Sequence, residues 1–504
     1  MKKRYYLTTP LYYVNAAPHI GHSYTNIATD CLARYHRLKG EEVFFLTGTD
    51  EHGQKLALKA KEENLEPKAF VDRMVPRFKD LWKRLSISYD DFIRTTEERH
   101  TKVVQALLVQ LYEKGELYED TYKGWYCTPC ETFWPKNQLK GTNCPDCGRP
   151  LEEIAEKNYF FKISKYQEWL KDYIRTHADF ILPESRRNEM LSFLENPLSD
   201  LCLTRPKERL SWGIGVPFSP NHVTYVWFDA LVNYISAVGY PGDPARFKTF
   251  WPADLHLVGK DILRHHAIYW PIMLHAAGLP PPRRIFAHGW WKVGGEKMSK
   301  SKKNIIDPIE MIEKYGVDPY RYFLLREVPF GLDGVFSEEA LVTRLNNDLA
   351  NDLGNLVYRT LTMVEKYFKG KVPDGKPSQD SKRTALLAKL DEKMDRLQFD
   401  GALMLIWERI REANRFIEES APWKLAKAKD EKTLSAVLCA LLDTLKTVSL
   451  LVSPFIPGTA EKIWNHIGIP GKISGSSFRD LEGLLIQPGV EIRKSEILYQ
   501  KVEN

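Results

Sequence analysis

Residues Arg4 to Gly53 read RYYLTTPLYYVNAAPHIGHSYTNIATDCLARYHRLKGEEVFFLTGTDEHG, and this stretch decides the fold. It opens with RYYLTT (Arg4 to Thr9), aromatic and threonine-rich and stopped by Pro10, which reads as a short β-strand. From Gly21 to Leu38 the spacing turns helical, with Ile27, Cys31, Leu32 and Tyr35 at steps of three or four, and Gly40 closes the helix. VFFLTGTDEHG then supplies a second apolar strand ending in a glycine-rich turn. Strand, helix and strand with short links are the signature of a parallel sheet, whose ligands sit beyond the carboxyl ends of its strands. PHIGH and GTDEHG both lie at such ends.

Outward from this unit the pattern changes twice. Residues 1–115 read as the first half of an α/β parallel-sheet domain, and 116–220 as an insertion that carries the cysteines. Strand-like segments resume in HVTYVWFDA, DLHLVGKDI and RIFAHGWWKV, so 221–292 reads as the second half of the sheet domain. Residues 293–340 hold a lysine-rich loop and a linker. After Glu338 leucines and valines recur at helical spacing on a polar ground, which predicts a bundle of four or five helices over 341–470. The tail, 471–504, is expected to pack back onto the body.

The totals agree with a multi-domain chain. At 504 residues it is too long for one ordinary core, and 43% apolar with 27% charged content is that of a globular protein. A net charge of +6 over this length permits a polyanionic partner without demanding one. The N-terminus lacks an unbroken apolar core for a signal peptide, and no run approaches the roughly 20 apolar residues that span a bilayer. Seven cysteines, four of them clustered, suit a reducing cytosol, so the expected location is cytoplasmic with no membrane partner.

Three motifs carry chemistry. Cys127-x2-Cys130 and Cys144-x2-Cys147 form two knuckles, each offering two thiolates, and four sulfurs close a tetrahedral zinc shell with no open position. The expected zinc, one per chain, is therefore structural. GGEKMSKSKKN (Gly294 to Asn304) sets lysines and the hydroxyls of Ser299 and Ser301 behind a pair of glycines; it can close over a polyphosphate, or be a solvated basic turn. In PHIGH, His19 and His22 fit a metal site, a structural turn, or a phosphate site beside a helix N-terminus, with Gly21 leaving room for a nucleotide.

HIGH at the first strand end and KMSKS (Lys297 to Ser301) nearly 280 residues later resemble the class I aminoacyl-tRNA synthetases. TTPLYYVNAAPHIGH, FFLTGTDEHG, YVWFDALVNYISA, VGKDILRHHAIYWP and FAHGWW, with the knuckles, resemble the methionyl-tRNA synthetases from Tyr5 to about Gly458. The resemblance implies a Rossmann-like catalytic domain split by the zinc-knuckle insertion and followed by an all-α anticodon-binding bundle. It implies ATP bound by His19, Gly21, His22, Lys297, Ser299 and Lys300 together with Mg²⁺, with His19, His22, Lys297 and Lys300 as the catalytic groups. By the same resemblance Leu11, Tyr13, Trp227, Ala230, Tyr234 and His288 line a pocket for the L-methionine side chain and Asp50 holds its ammonium. Asn355, Arg359 and Trp423 read the anticodon of initiator and elongator tRNA(Met), and the chain is expected to be a monomer.

The chain departs from the family at Lys303, where glycine is usual before Asn304. The synthetases for isoleucine, leucine and valine usually carry a larger insertion, and a cysteine-specific enzyme would use zinc in its amino-acid pocket. A non-catalytic tRNA-binding relative has no need of an ATP site, and a nucleotidylyltransferase with an HxGH-type site lacks the long helical domain.

Overall fold

The computed structural model describes residues 3–128, 132–134, 139, 141–145, 147–294, 296–297, 306–375, 383–483, 486–493 and 497–503, with the backbone alone at 122–123, 132–133, 296–297 and 482–483. Its centre is a seven-stranded sheet, parallel in every pairing. The strands are β1 (Arg4–Thr8), β2 (Tyr12–Tyr13), β3 (Glu42–Asp50), β4 (Asp91–Arg94), β5 (Ile181–Leu182), β6 (Leu255–Gly259) and β7 (Ile285–His288). β1 pairs with β3 from Arg4 opposite Glu42 to Thr8 opposite Leu46, and β2 resumes the same edge at Thr49 and Asp50. The break falls at Pro10, which has no N–H to give a ladder. β4 lies on the other side of β3, since Leu46 faces both Thr8 and Asp91. On its second side β1 meets β6, then β7 and β5. Strand order therefore reverses at β1 and β6, and the crevice beyond their carboxyl ends is where a ligand fits.

The helix α1 (Ile20–Leu38) crosses between β2 and β3 and buries Ile27, Cys31, Leu32 and Tyr35, the positions read as its apolar stripe, and Ala28 with them. The sheet is completed from the second half of the chain, as expected, but β5 comes from inside the stretch read as insertion: Ile181 and Leu182 pair with Ile285 and Phe286 at the far edge. Around it the insertion builds its own antiparallel sheet. Leu117–Cys127 and Glu152–Phe161 run as one long hairpin, flanked by Thr132–Trp134 and Leu201–Cys202, and Cys127, Cys144 and Cys147 lie near its tip.

HVTYVWFDA does not run as a strand throughout. The strand Ser219–Thr224 ends before Tyr225, and Val226–Leu231 is helical. Val226, Phe228, Asp229, Ala230 and Leu231 are all buried, so the run is enclosed on nearly every face, and its β-branched and aromatic content gives way to tertiary packing.

Beyond Glu338 the chain is helical. Glu338–Arg344, a π-helical stretch Leu345–Gly354 and Asn355–Phe368 run on end to end, followed by Arg383–Asp395, Phe399–Ser420, Pro422–Ala428, Glu431–Val452 and Pro457–His466. Glu431–Val452 is long and apolar enough to cross a membrane, but 83% of its most apolar window is buried in the bundle. The tail packs back: the Phe478 N–H donates to the Leu38 carbonyl at the end of α1, and Asn346 exchanges two hydrogen bonds with the Val502 backbone.

Candidate active site

The first feature at the crevice is the start of α1. His19 is the N-cap, and its Nδ1 accepts the Gly21 N–H at 3.1 Å. Three residues on, His22 Nδ1 accepts the His19 N–H at 3.0 Å, so the two imidazoles form a reciprocal capping box. With Nδ1 accepting in both rings, each neutral imidazole carries its proton on Nε2. Two donors are thus fixed at a helix N-terminus whose own N–H groups favour anions. Burial first, and the neighbouring His19 next, hold His22 well below the ordinary imidazole range, so it is neutral. Tyr12 and Phe78 pack edge-on to its ring at 5.1 and 5.7 Å. A Cβ on Gly21 would lie 3.0 Å from the His19 ring, so the glycine also leaves that ring room to cap the helix.

The segments on either side of the lysine loop are described. Trp291–Val293 pairs with Glu296–Lys297 as a hairpin, Lys292 opposite Lys297, turning at Gly294 in the left-handed region (φ 58°). Ser299, Lys300, Ser301 and Lys303 lie outside the described residues, as does the Lys297 side chain. Where the chain returns, the Ile306 carbonyl accepts the Ile20 N–H at 3.3 Å. HIGH and the segment leaving KMSKS are therefore joined backbone to backbone. The hairpin base is held by Asp333, which takes the Lys260 and Lys292 ammonium groups at 2.6 and 2.9 Å and the Trp290 N–H at 3.0 Å. Burial pushes this carboxyl up, but the two lysines outweigh it and hold it well below the usual carboxylate range. Nothing in the sequence pattern marked Asp333.

The residues assigned to a side-chain pocket divide into two groups. Tyr234 is buried under the crevice and stacks on His256 of β6 at 4.1 Å, while the His256 Nε2 accepts the Trp270 N–H and its Nδ1 donates to Thr8 Oγ1 of β1. The Tyr234 hydroxyl lies 2.8 Å from His266 Nε2. His266 Nδ1 lies 2.9 Å from the Ile262 carbonyl, to which it must donate, so Tyr234 gives its proton to Nε2. Burial lowers His266 to about 4, which keeps it neutral. Trp227, in the helix with Ala230, lies flat on His265 at 3.6 Å. His265 and His266 open a π-helical turn, His265–Tyr269, whose extra residue lets successive side chains serve two pocket aromatics. Leu11 packs with this core, its Cδ2 within 2.8 Å of where a Cβ on Gly48 would stand. Tyr13 and Asp50 pair across β2 and β3. His288, by contrast, lies against α1: Thr25 Oγ1 is 2.7 Å from its Nε2, and its Nδ1 donates to the Gly289 carbonyl. The imidazole that meets Tyr234 is His266.

Of the four knuckle cysteines, Cys127, Cys144 and Cys147 have sulfurs within 4.8 Å of one another, with Cys127 and Cys147 at 3.5 Å. A tetrahedral shell with zinc–sulfur bonds of ~2.3 Å spaces its sulfurs by ~3.8 Å, so this donor set fits such an ion. Cys130 lies outside the described residues. Gly148 (φ 72°) makes the second knuckle's turn, its N–H donating to the Cys144 carbonyl at 2.8 Å.

In the bundle, Asn355 and Arg359 follow one another on one face of Asn355–Phe368, with Asn355 exposed and Tyr358 beside them 41% exposed. Arg359 reaches Glu418 at 2.7 Å, which brings this face to the end of Phe399–Ser420, and Trp423 follows just beyond it, also 41% exposed. Tyr358 is a candidate that spacing alone did not mark.

Comparison with known proteins places this architecture. A family model described as class I tRNA synthetases (M) matches residues 5–361, and one described as the anticodon-binding domain of tRNA ligase matches 380–502. Methionine–tRNA ligase of Caldanaerobacter subterraneus subsp. tengcongensis is 50% identical over 513 residues, spanning all of this chain and 80% of that protein. That of Clostridium acetobutylicum is 49% identical over all of this chain and 79% of its own length. Mycobacterium tuberculosis methionyl-tRNA synthetase in complex with methionyl-adenylate superposes with a TM-score of 0.92 at 42% identity, over 99% of each chain. With HIGH at a helix start beyond the carboxyl ends of a parallel sheet, and relatives this similar over its whole length, the chain belongs to the methionyl-tRNA synthetases of class I.

Proposed function

We propose that the chain, as a cytoplasmic monomer, joins L-methionine to ATP as methionyl-adenylate and transfers the methionyl group to the 3′-terminal adenosine of initiator and elongator tRNA(Met). The observation that supports this reading is the capping box of His19 and His22 at the start of α1, which fixes two imidazole donors at one helix N-terminus, with Ile306 bonded to Ile20 beside them.

In the first step an oxygen of the methionine carboxylate attacks the α-phosphorus in line, and pyrophosphate leaves with the electrons of the broken P–O bond. No proton need be removed from methionine, so positioning and charge do most of the work. His19 and His22 present Nε2–H to the phosphates, and as neutral donors they stabilise the charge that develops on them without repelling each other. Lys297, Ser299 and Lys300 close from the opposite side. Mg²⁺ enters with ATP and supplies neutralising charge on its phosphates when bound. Asp50 takes the ammonium, and Leu11, Tyr13, Trp227, Ala230 and Tyr234, with His288 at the margin, receive the thioether, which sulfur–ring contacts suit. His266 aims the Tyr234 hydroxyl by accepting its hydrogen bond at Nε2.

In the second step a hydroxyl of the terminal adenosine attacks the adenylate carbonyl and AMP leaves. A zinc ion on Cys127, Cys130, Cys144 and Cys147 would cross-link the tip of the insertion hairpin that guides the tRNA end. Asn355, Arg359 and Trp423 would hold anticodon bases by edge bonding and stacking.

The test is ATP–pyrophosphate exchange with each of the twenty amino acids, followed by charging of tRNA. Methionine alone should drive exchange. Exchange driven by leucine or cysteine instead would overturn the specificity, and none at all would overturn the enzyme reading.

A further inference from the structure

Asp229 sits between Trp227 and Ala230 in the helix Val226–Leu231 and is fully buried. Among the described residues its partners are two imidazoles: His52 Nδ1 lies 2.7 Å from one carboxylate oxygen, and His100 Nε2 lies 2.7 Å from the other. A carboxylate in this setting is expensive unless hydrogen-bonded on both oxygens, and here both are engaged.

The two histidines come from different places. His100 belongs to the helix Glu98–Glu113, and its other nitrogen is 3.1 Å from Ser236 Oγ, so it ties Asp229 to the same segment further along. His52 follows Asp50 by two residues in GTDEHG, and its backbone N–H points at Asp50 Oδ1, 3.5 Å off. The rest of this turn is pinned separately. Glu51 takes Arg94 at 2.7 and 2.8 Å and the hydroxyls of Thr49 and Thr96 at 2.6 Å each. Trp212 donates its indole N–H to the Glu51 carbonyl at 2.6 Å, and Gly53 adopts φ 110° beside it. Of these anchors, the bond from His52 to Asp229 is the one that reaches the segment carrying Trp227, Ala230 and Tyr234.

We propose that Asp229 is a positioning residue for methionine: through His52 it sets the distance between Asp50 and the pocket wall Trp227–Tyr234. The inference rests on the methionine reading above. Methionine is then held at two points, ammonium on the turn and thioether in the wall, and the spacing of those points decides where its carboxylate stands relative to the α-phosphorus. At a wrong spacing methionine engages one point at the expense of the other, so its binding weakens and its KM rises together with any loss of rate.

The experiment compares Asp229→Asn, His52→Gln and His100→Gln in methionine-dependent ATP–pyrophosphate exchange, with thermal denaturation alongside. Asp229→Asn and His52→Gln should raise the methionine KM roughly ten- to a hundred-fold while the ATP KM stays within about two-fold. Inhibition by methioninol, which keeps the amine, should weaken in parallel, whereas inhibition by 4-(methylthio)butanoate, which lacks it, should not. His100→Gln should lower the melting temperature and leave the methionine KM in place. If Asp229→Asn does not fold, His52→Gln carries the test alone. The proposal is overturned if the variants lose stability and kcat at unchanged methionine KM, if both inhibitors weaken equally, or if His100→Gln matches His52→Gln. Absence of methionine-dependent exchange in the unaltered chain would instead sink the reading beneath it.

Discussion

The Arg321 guanidinium meets the Asp30 carboxylate at 2.7 Å, with neither side chain exposed to solvent. Arg321 also donates to the carbonyls of Leu85, Pro454 and Phe455, and Asp30 also takes Arg34 and the Ser88 N–H and hydroxyl. One buried cluster thus ties the middle of α1, whose first turn carries His19 and His22, to the chain just past the helix Glu431–Val452. Arg321→Met would leave three carbonyls and part of a buried carboxylate without partners. Removing one member of a buried pair is expected to destabilise by about 3–5 kcal/mol, which chemical denaturation would read as a lower midpoint. A midpoint within error of the parent would show that the cluster is not a structural tie.

Buried titratable groups make the fold acid-sensitive in two ranges. Burial lowers His266 to about 4, so between its unfolded value near 6.5 and about 4 the unfolded chain binds the proton more readily. Its contribution is present above pH 6.5 and lost as pH falls toward 4, about 3 kcal/mol in all. His22, His256, His265 and His288 are lowered in the same direction by burial. Asp30 titrates lower: burial pushes it up, but Arg34 and Arg321 outweigh that and hold it at about 2. Its stabilisation holds above the ordinary carboxylate value and fades as pH falls toward 2. Stability measured against pH should therefore fall first between 6.5 and 4. His266→Gln should reduce that slope by about one proton, and an unchanged slope would place the uptake on other groups.

His22 can be dissected nitrogen by nitrogen. Its Nδ1 completes the capping box at 3.0 Å, while its Nε2 is the donor assigned to the phosphates. Asparagine can keep the first role and lacks the second; glutamine can reach the second and loses the first. His22→Asn should leave the melting temperature near that of the parent and lower kcat for exchange by roughly 10²–10³-fold. His22→Gln should show the reverse weighting. Equal losses in both variants would mean that the ring acts through the cap alone.

How far the sequence could be read depended on how local each cause was. The unit from Arg4 to Gly53 was legible because Pro10 and Gly40 punctuate it and its apolar side chains repeat at strand and helix periods. The helix Val226–Leu231 was not, because a short run buried on nearly every face carries no period. His288 and His266 show a second limit. Both are buried histidines in apolar surroundings, and only the π-helical turn at His265–Tyr269 turns one of them toward Tyr234. Asp333 and Asp229 show a third. Asp333 reaches Lys260, 73 residues away, and Asp229 reaches His52 and His100 across 177 and 129 residues, so their partners lie beyond any local pattern.

Metal content separates the insertion from the adenylate step. Cys127 and Cys144 are buried and Cys147 is exposed, so the cluster sits at the rim of the hairpin tip. Purified protein should carry about one zinc per chain, and Cys144→Ser should lose it. With the shell closed and no coordination position open to substrate, exchange with methionine should persist in that variant while transfer to tRNA weakens. Loss of exchange in step with the metal would give the ion a part in the first reaction.

Arg359 and Trp423 allow tRNA binding to be tuned in both directions. Arg359 is held by Glu418 at 2.7 Å, on a face where Glu418 itself is well exposed, so the pair is worth little and is easily exchanged for an anionic or base-edge partner. Trp423 stands 41% exposed beside it although neighbouring tryptophans such as Trp407 and Trp464 are buried, which leaves its face open for stacking. Trp423→Ala should therefore raise the KM for tRNA by the equivalent of about 1–3 kcal/mol, the range for one stacked base, with methionine-dependent exchange unchanged. Glu418→Gln should act oppositely, freeing Arg359 and lowering the tRNA KM, most clearly at low salt because it also removes a negative charge from the path of a polyanion. Full-length tRNA(Met) and the same tRNA with its anticodon replaced should be compared in both variants. If the Trp423→Ala penalty is the same for both, the tryptophan is a bundle anchor and the anticodon is read elsewhere.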